Sequence, residues 1–236
     1  MQLQTLILFG QNDFCNCRMD QRSLFETLLT GQKFQMKKTY GSQQFPDGTF
    51  MGDIILTSGD TVRNKQISYN GYEDELIWTL PVTMSMIKVD KKRVNKFMIY
   101  VYSNEEPMGF RHLSGITSGK KQVDFFAEIL LEDSLSLYAR HIIQFVEKIE
   151  QDNEKIITLI DKIELLSPVF YIRLPDNTYL EIKHLRKRSL YSALPDYKES
   201  IRSLLNQHHQ GLRKERDLIH IIQLINKFGI KPAKQL

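Results

Sequence analysis

The fold is decided by residues 52–80, GDIILTSGDTVRNKQISYNGYEDELIWTL. Three apolar segments rich in β-branched residues alternate in it with two turn signals, Ser58–Asp60 and Asn70–Gly71. Glycine, asparagine and aspartate tolerate the positive φ angles that tight hairpin turns require. The stretch therefore predicts three antiparallel strands, at residues 52–57, 61–69 and 75–80.

The same pattern continues toward the C-terminus. Strands are predicted at residues 84–89 and 96–102, followed by hairpins of 124–131 with 135–145 and of 168–174 with 178–183. Residues Ser103–Lys121 contain one proline and three glycines and are predicted to form a loop. Val146–Leu166 has isoleucines at partly helical spacing but a β-branched content typical of strands, and the prediction there is a helix or an irregular arm.

Two amphipathic helices are predicted at the end of the chain. The first begins at Pro195 and stops near Gly211, and the second carries an apolar stripe from Leu218 to Phe228 that ends at Gly229. Helices joined by a short loop form a hairpin, which must bury its apolar faces on the sheet or on each other. The predicted fold class is α+β, a mainly antiparallel β meander or curved sheet closed by a C-terminal helical hairpin.

Length and composition suit a globular chain of 236 residues, 42% of them hydrophobic. The predicted division is a leader at 1–45 with a short helix at Ser23–Leu29, a β-rich domain at 46–183, and a basic helical pair at 184–236 packed on the sheet. Residues 183–236 carry 12 Lys and Arg against 4 Asp and Glu, whereas residues 1–182 carry 20 against 24. This asymmetry fits an anionic partner or solvated helix faces.

Apolar segments of the chain, above all the one at the N-terminus, bear on where in the cell the protein is expected. No apolar run of roughly 18 residues is present, so no membrane-spanning helix is predicted. Met1–Phe9, MQLQTLILF, lacks the basic start of a secretory signal. If it is the remnant of a truncated signal peptide, the protein is expected in the periplasm or at the cell surface, and otherwise in the cytoplasm.

No metal site or cofactor is predicted. Cys15 and Cys17 have no second Cys/His pair nearby, and the six histidines form no H-E-x-x-H pattern. Gly115–Lys121, GITSGKK, has three residues between its glycines where a Walker loop has four, and Lys121 where that loop has Ser or Thr. A nucleotide site is therefore not expected there. No serine stands in a G-x-S-x-G elbow.

A first candidate surface surrounds the acidic triplet 73–75. Strand alternation would point Glu73 and Glu75 to one side and the aspartate between them to the other, which supplies no catalytic carboxylate pair without a further carboxylate from elsewhere. Tyr69 and Tyr72 flank the triplet, and aromatic rings with polar tips are common at interfaces. Tyr69, Tyr72, Glu73 and Glu75 are therefore the predicted binding edge, with a polar start of the strand as the alternative.

A second candidate surface is the basic cluster KHLRKR at residues 183–188. Lys183, Arg186, Lys187 and Arg188 place four positive charges within six residues. The cluster predicts a docking place for an anionic partner such as nucleic acid or lipid headgroups. The alternative is a solvated junction between strand and helix.

Three segments carry a resemblance: residues 52–78; 125–138, FFAEILLEDSLSLY; and 171–205, YIRLPDNTYLEIKHLRKRSLYSALPDYKESIRSLL. Together they resemble a family of uncharacterised proteins from Bacteroidota, whose pattern is G-x-[ILV]-x-L-x-[DS]-G, then Y-N-x-[YF]-x-D-E-[LM], then a strand with E-[VI]-L and a helical tail. Similar members usually carry a signal peptide, which implies the periplasm or cell surface. The resemblance implies no activity, cofactor or catalytic residue.

These observations favour a non-enzymatic envelope or secreted β-domain that makes protein or surface contacts. One alternative is a hydrolase-type enzyme with a site assembled from separate strands. Another is a binder of an anionic polymer or lipid surface through the basic tail.

Overall fold

The computed structural model describes residues 31–33, 41–101, 106–118, 121–151, 157–207 and 211–229, all of which belong to one unit, Gly31–Leu236. The strands are β1 (Gly31–Lys33), β2 (Phe50–Leu56), β3 (Thr61–Asn70), β4 (Glu75–Thr79), β5 (Met86–Val89), β6 (Val94–Tyr100), β7 (Met108–Ser118), β8 (Lys121–Leu131), β9 (Ser136–Arg140), β10 (Ile143–Gln151), β11 (Ile157–Leu165), β12 (Val169–Arg173) and β13 (Tyr179–Ile182). The helices are α1 (Lys187–Ala193), α2 (Lys198–Gln207) and α3 (Glu215–Lys227), with short 3₁₀ turns at Lys91–Arg93 and Pro195–Tyr197.

Most of the described strands belong to one sheet of 11, in the order β1-β5-β4-β3-β2-β6-β7-β8-β9-β12-β13. Their pairings are antiparallel, as are those of β10 with β11, which form a separate two-stranded sheet. This confirms the predicted α+β class with a mainly antiparallel sheet.

The large sheet is strongly curved. Strands β3 and β8 are four places apart in the sheet, which would separate them by about 19 Å if the sheet were flat. Instead, the rings of Tyr69 on β3 and Phe126 on β8 have centroids 6.1 Å apart. Phe97 and Phe110 on the intervening strands pack with them. The concave face of this part of the sheet therefore encloses an aromatic core.

The predicted hairpins of residues 52–57 with 61–69, and of 168–174 with 178–183, are confirmed as β2–β3 and β12–β13. Gly59 in the first turn and Asn177 in the second have positive φ, as their turn chemistry requires. The strands predicted at 75–80, 84–89 and 96–102 correspond to β4, β5 and β6.

The predicted loop at Ser103–Lys121 is wrong, because Met108–Ser118 forms β7 and Lys121 begins β8. Both described glycines of this stretch lie in β7, where the conformation or the packing of the strand requires glycine. A Cβ on Gly109 would come within 3.1 Å of the Met98 sulfur on the neighbouring strand, and Gly115 adopts φ +69° at a register shift. Glycine here permits close approach and a bulge, and does not mark a loop.

The helix or irregular arm predicted at residues 146–166 is also wrong. Residues 146–151 and 157–165 of this stretch belong to β10 and β11, which pair in register from Ile143 opposite Leu165 to Gln151 opposite Ile157. The strand predicted at 135–145 is divided in two, since β9 ends at Arg140 and β10 begins at Ile143 in the other sheet. The β-branched content outweighed the helical spacing of the isoleucines.

Both predicted C-terminal helices are present, as α2 and α3, and Gly229 adopts φ +56° after the second. Helix α1 was not predicted, because its seven residues are too few for a periodic apolar stripe. The helices pack on β9, β12 and β13 through a shared core that includes Leu137, Phe170, Ile172, Leu190, Ile201, Leu205, Leu218, Ile221, Ile222 and Ile225. The Asn226 side chain ties α3 to the β8–β9 turn by donating to the carbonyl of Leu135 and accepting from its N–H.

The helix predicted at Ser23–Leu29 lies outside the described residues. Part of the predicted leader joins the sheet, because Gly31–Lys33 pairs with β5. Gln43 and Gln44 bond the Asn70 and Ser68 side chains of β3.

Candidate functional site

A surface groove lies where β13 passes into α1. Its first cavity, of about 390 Å³, is lined by Glu181, Lys183, Arg188, Ser189, Ser192 and Ala193. Its second cavity, of about 330 Å³, is lined by Arg188, Tyr191, Ser192 and Lys198. The two cavities share Arg188 and Ser192 and therefore adjoin. We call them together the α1 groove.

Local folding explains why these side chains meet. Arg186 is extended, and the helix begins directly after it at Lys187. Leu190 of α1 and Leu194 at its end are buried in the core shared with the sheet. Burial of these leucines fixes α1 against β13, so that Arg188 and Ser192 face the groove from the helix while β13 supplies its other wall.

The groove is predominantly cationic. Lys183, Arg188 and Lys198 contribute positive charges, and Glu181 contributes one carboxylate. The Lys183 Nζ lies 3.6 Å from a Glu181 oxygen, and the other oxygen of Glu181 accepts a hydrogen bond of 3.2 Å from the Tyr171 hydroxyl. Within the described part of the chain, Arg188 and Lys198 form no ion pair with a carboxylate. One guanidinium and one ammonium group are therefore available to an anion.

The structure brings together part of the predicted basic cluster. Lys183 and Arg188 line the groove, whereas Arg186 and Lys187 are exposed and line neither cavity. The sequence did not indicate Lys198, because its approach to Arg188 depends on the turn between α1 and α2. The one sequence feature that could have indicated Lys198 is its position as a basic residue at the start of the following helix.

The predicted acidic edge does not form one surface. Tyr69 is 1% exposed and points into the aromatic core, whereas Tyr72 is 41% exposed. Glu73 is exposed, and Glu75 pairs with Lys88 on the next strand at 2.7 Å. Residues 71–74 form a turn, so strand alternation does not govern the triplet. Any contact made by this edge would involve Tyr72 and Glu73 without the ring of Tyr69.

Asp74, which sequence reasoning passed over, is the residue of the triplet that links separate parts of the fold. Its carboxylate accepts hydrogen bonds from the Tyr69 hydroxyl at 2.7 Å and from the Phe126 N–H at 3.0 Å, and it pairs with the Lys91 Nζ at 2.6 Å. Its φ of +57° is one that aspartate tolerates. Burial, and then the negative charge of Asp74, raise the pKa of Tyr69 well above its usual value. Asp74 thus joins the β3–β4 turn to β8.

A second buried polar cluster centres on His141. Its Nε2 lies 2.6 Å from a Glu128 oxygen, and its ring stacks on Phe45 with centroids 3.7 Å apart. Glu215, the first residue of α3, is half-buried near this pair. Burial raises the pKa of the Glu215 carboxyl, and the charge of Glu128 raises it further, while His141 acts in the opposite direction.

This pKa shift predicts a pH dependence. Because Glu215 binds its proton more tightly in the folded state, its contribution to the free energy of unfolding falls as pH rises from its ordinary pKa through its folded pKa. We expect Glu215→Gln to remove that decline. Denaturant unfolding at a series of pH values from acidic to neutral would measure it.

Asp217, two residues further along α3, provides a control of opposite sign. The N–H groups of Arg213 and Lys214 donate to its carboxylate and lower its pKa. Its stabilising contribution is present above the unfolded pKa and lost as pH falls through the folded one. Asp217→Asn should therefore lose stability at neutral pH. An unchanged pH profile for Glu215→Gln would contradict the prediction.

No three His, Cys, Asp or Glu side chains come together as a metal site among the residues that the structure describes. In the same residues, no helix has the length and apolar character needed to cross a membrane. Comparison of the chain with protein-family models, curated proteins and solved structures found no match.

Proposed function

We propose that this protein is a binding protein that takes a phosphate-rich polymer into the α1 groove. The observation that carries the proposal is the pair of adjoining cavities that share Arg188. A guanidinium group presents parallel N–H donors that match phosphate oxygens, and lysine adds a point charge. The hydroxyls of Ser189 and Ser192 add hydrogen-bond donors at the same place.

The dimensions of the groove favour small anionic groups in succession over one large ligand. Each cavity is near the lower end of the range of about 300–1,000 Å³ typical of small-molecule sites. With Lys183 at one cavity, Lys198 at the other and Arg188 between them, each cavity has two cations. We expect consecutive phosphates of one strand to occupy the two cavities, because the cavities adjoin at Arg188 and Ser192. The basic surplus of residues 183–236 attracts such a strand from a distance.

The test compares two variants of equal charge. Arg188→Ser with Lys198→Ser removes two cations of the groove, and Arg63→Ser with Lys92→Ser removes two exposed cations elsewhere. Binding of oligothymidylate would be measured by fluorescence anisotropy over a series of salt concentrations. Each phosphate that is no longer neutralised should reduce the salt slope by about 0.7, so the slope of the groove variant should fall by about 1.4.

The control variant should keep most of the affinity and of the slope, since its lysine and arginine lie outside the groove. Equal binding by the groove variant and the native protein would refute the proposal, provided that both melt at the same temperature. Equal losses in both variants would also refute it, because they would indicate only a response to net charge.

Location in the periplasm or at the cell surface, and the resemblance to the Bacteroidota family, stay predictions. The coding sequence upstream of Met1 would test the location. An in-frame basic segment that continues into LQTLILF would support a signal peptide, and a stop codon close by would argue against it.

A further inference from the structure

The β4–β5 hairpin contains an unusual uncharged stretch. Residues 76–87, LIWTLPVTMSMI, include no Asp, Glu, Lys or Arg. The charged residues on either side, Glu75 and Lys88, pair with each other at 2.7 Å across the base of the hairpin. The hairpin beyond this ion pair therefore has no charge to desolvate when it enters an apolar environment.

Its tip projects apolar side chains into solvent. The tip, residues 81–84, is closed by a hydrogen bond of 2.9 Å from the Leu80 N–H to the Ser85 carbonyl. Val82 is 90% exposed and Met84 is 69% exposed. Met84 also has a φ of +52°, which is unfavourable for a long side chain without a local polar group to support it. Residues held in sparsely populated backbone regions are frequent at functional sites.

The strand alongside the tip is basic. Gln66 of β3 pairs with Thr79, so the preceding residues of β3, which include Lys65 and Arg63, run past the turn. The Lys65 Nζ lies 5.5 Å from the centre of the Trp78 ring, and Arg63 is exposed. Asp53, the carboxylate beside this segment, is held by the Asn64 N–H at 2.9 Å and the Tyr100 hydroxyl at 3.0 Å.

We propose that the β4–β5 tip inserts into the interfacial region of an anionic lipid bilayer. A stable protein interface buries about 800 Å² per partner, far more than two apolar side chains on a convex turn provide. A bilayer interface accepts a small apolar projection, and the exposed Arg63 beside the tip is attracted to its anionic headgroups. The bilayer is thus the occupant that fits both the shape and the charge of the tip. This proposal does not depend on the α1 groove.

Co-sedimentation with vesicles of mixed phosphatidylcholine and phosphatidylserine would test it. Val82→Ser with Met84→Ser should weaken binding by at least about tenfold. Burial of one such apolar side chain in the bilayer changes the binding constant by about tenfold. The matched control is Leu165→Ser with Leu166→Ser, which changes two exposed leucines on another hairpin and should bind as the native protein does. Vesicles of phosphatidylcholine alone should bind more weakly than the mixed vesicles.

A spectroscopic reporter would locate the site of insertion. Trp78 is the one tryptophan of the chain and is buried, so its emission should not change on binding. Val82→Trp should shift its emission to shorter wavelength when mixed vesicles are added. Glu73→Trp, which places the reporter in the turn at the opposite end of β4, should show no shift.

The inference would be overturned if the native protein did not bind the mixed vesicles, if the tip variant bound them as tightly as the native protein does, or if the Val82→Trp emission stayed unchanged. Loss of vesicle binding in Arg188→Ser with Lys198→Ser alone, with the tip variant unaffected, would assign the lipid contact to the groove and would also refute insertion of the tip.

Discussion

Replacement of Trp78 by alanine is expected to destabilise the protein by about 3–5 kcal/mol. Trp78 is 4% exposed and lies between Ile67 and Ile87 on the neighbouring strands. Removal of the indole leaves a cavity that the paired strands cannot close without breaking their hydrogen bonds. Denaturant unfolding followed by far-ultraviolet circular dichroism would measure the loss.

The variant Trp78→Phe tests whether the volume of the side chain or its polar N–H group matters for stability at this position. Among the described residues, the buried Trp78 Nε1 has no hydrogen-bond partner. Trp78→Phe therefore loses no hydrogen bond and leaves a smaller cavity than alanine does, so it should cost less than Trp78→Ala. Leu165→Ala, at an exposed position, should change stability by less than about 0.5 kcal/mol. A native emission spectrum of a water-exposed indole, or equal stability of Trp78→Ala and the native protein, would contradict the burial of this side chain.

Replacement of Asp74 by alanine is also expected to cost about 3–5 kcal/mol. The change leaves the Tyr69 hydroxyl and the Phe126 N–H without their acceptor and Lys91 without its counter-ion. Alanine is also less tolerant than aspartate of the φ of +57°. Both the turn and the link to β8 are therefore weakened by the same substitution.

Asp74→Asn is the informative comparison. Asparagine tolerates positive φ and keeps one oxygen acceptor, so it loses mainly the ion pair with Lys91, and its cost should be about 1–3 kcal/mol. Thermal unfolding of both variants and of Glu73→Ala, an exposed neighbour, would give the ranking. An effect of Asp74→Ala no larger than that of Glu73→Ala would show that the two hydrogen bonds and the ion pair do not stabilise the fold.

Several elements could be predicted because their signals are local. The turn at Ser58–Asp60 requires a residue that tolerates positive φ, and the period of the apolar residues in α3 reports the helix directly. The β7 strand could not be predicted in this way. Its glycines are explained by what lies opposite them, such as Met98 across from Gly109, and that neighbour is known only when the strands are paired.

The candidate site shows the same division. The basic cluster at residues 183–188 indicated Lys183 and Arg188, which both line the groove. The groove also requires Lys198, and it requires that α1 pack against β13. That packing results from the burial of Leu190 in the core shared with the sheet. Equally, no local pattern indicates that Asp74 accepts a hydrogen bond from a backbone group 52 residues away.

The antiparallel hairpins, the two amphipathic helices and the uneven charge can be predicted from local sequence, because each depends on backbone preference, on residue period or on composition. Local sequence does not indicate the curvature of the sheet, the partners of Asp74, the α1 groove or the exposure of the β4–β5 tip. These depend on which distant residues share the same space, and that is set by the packing of the whole chain.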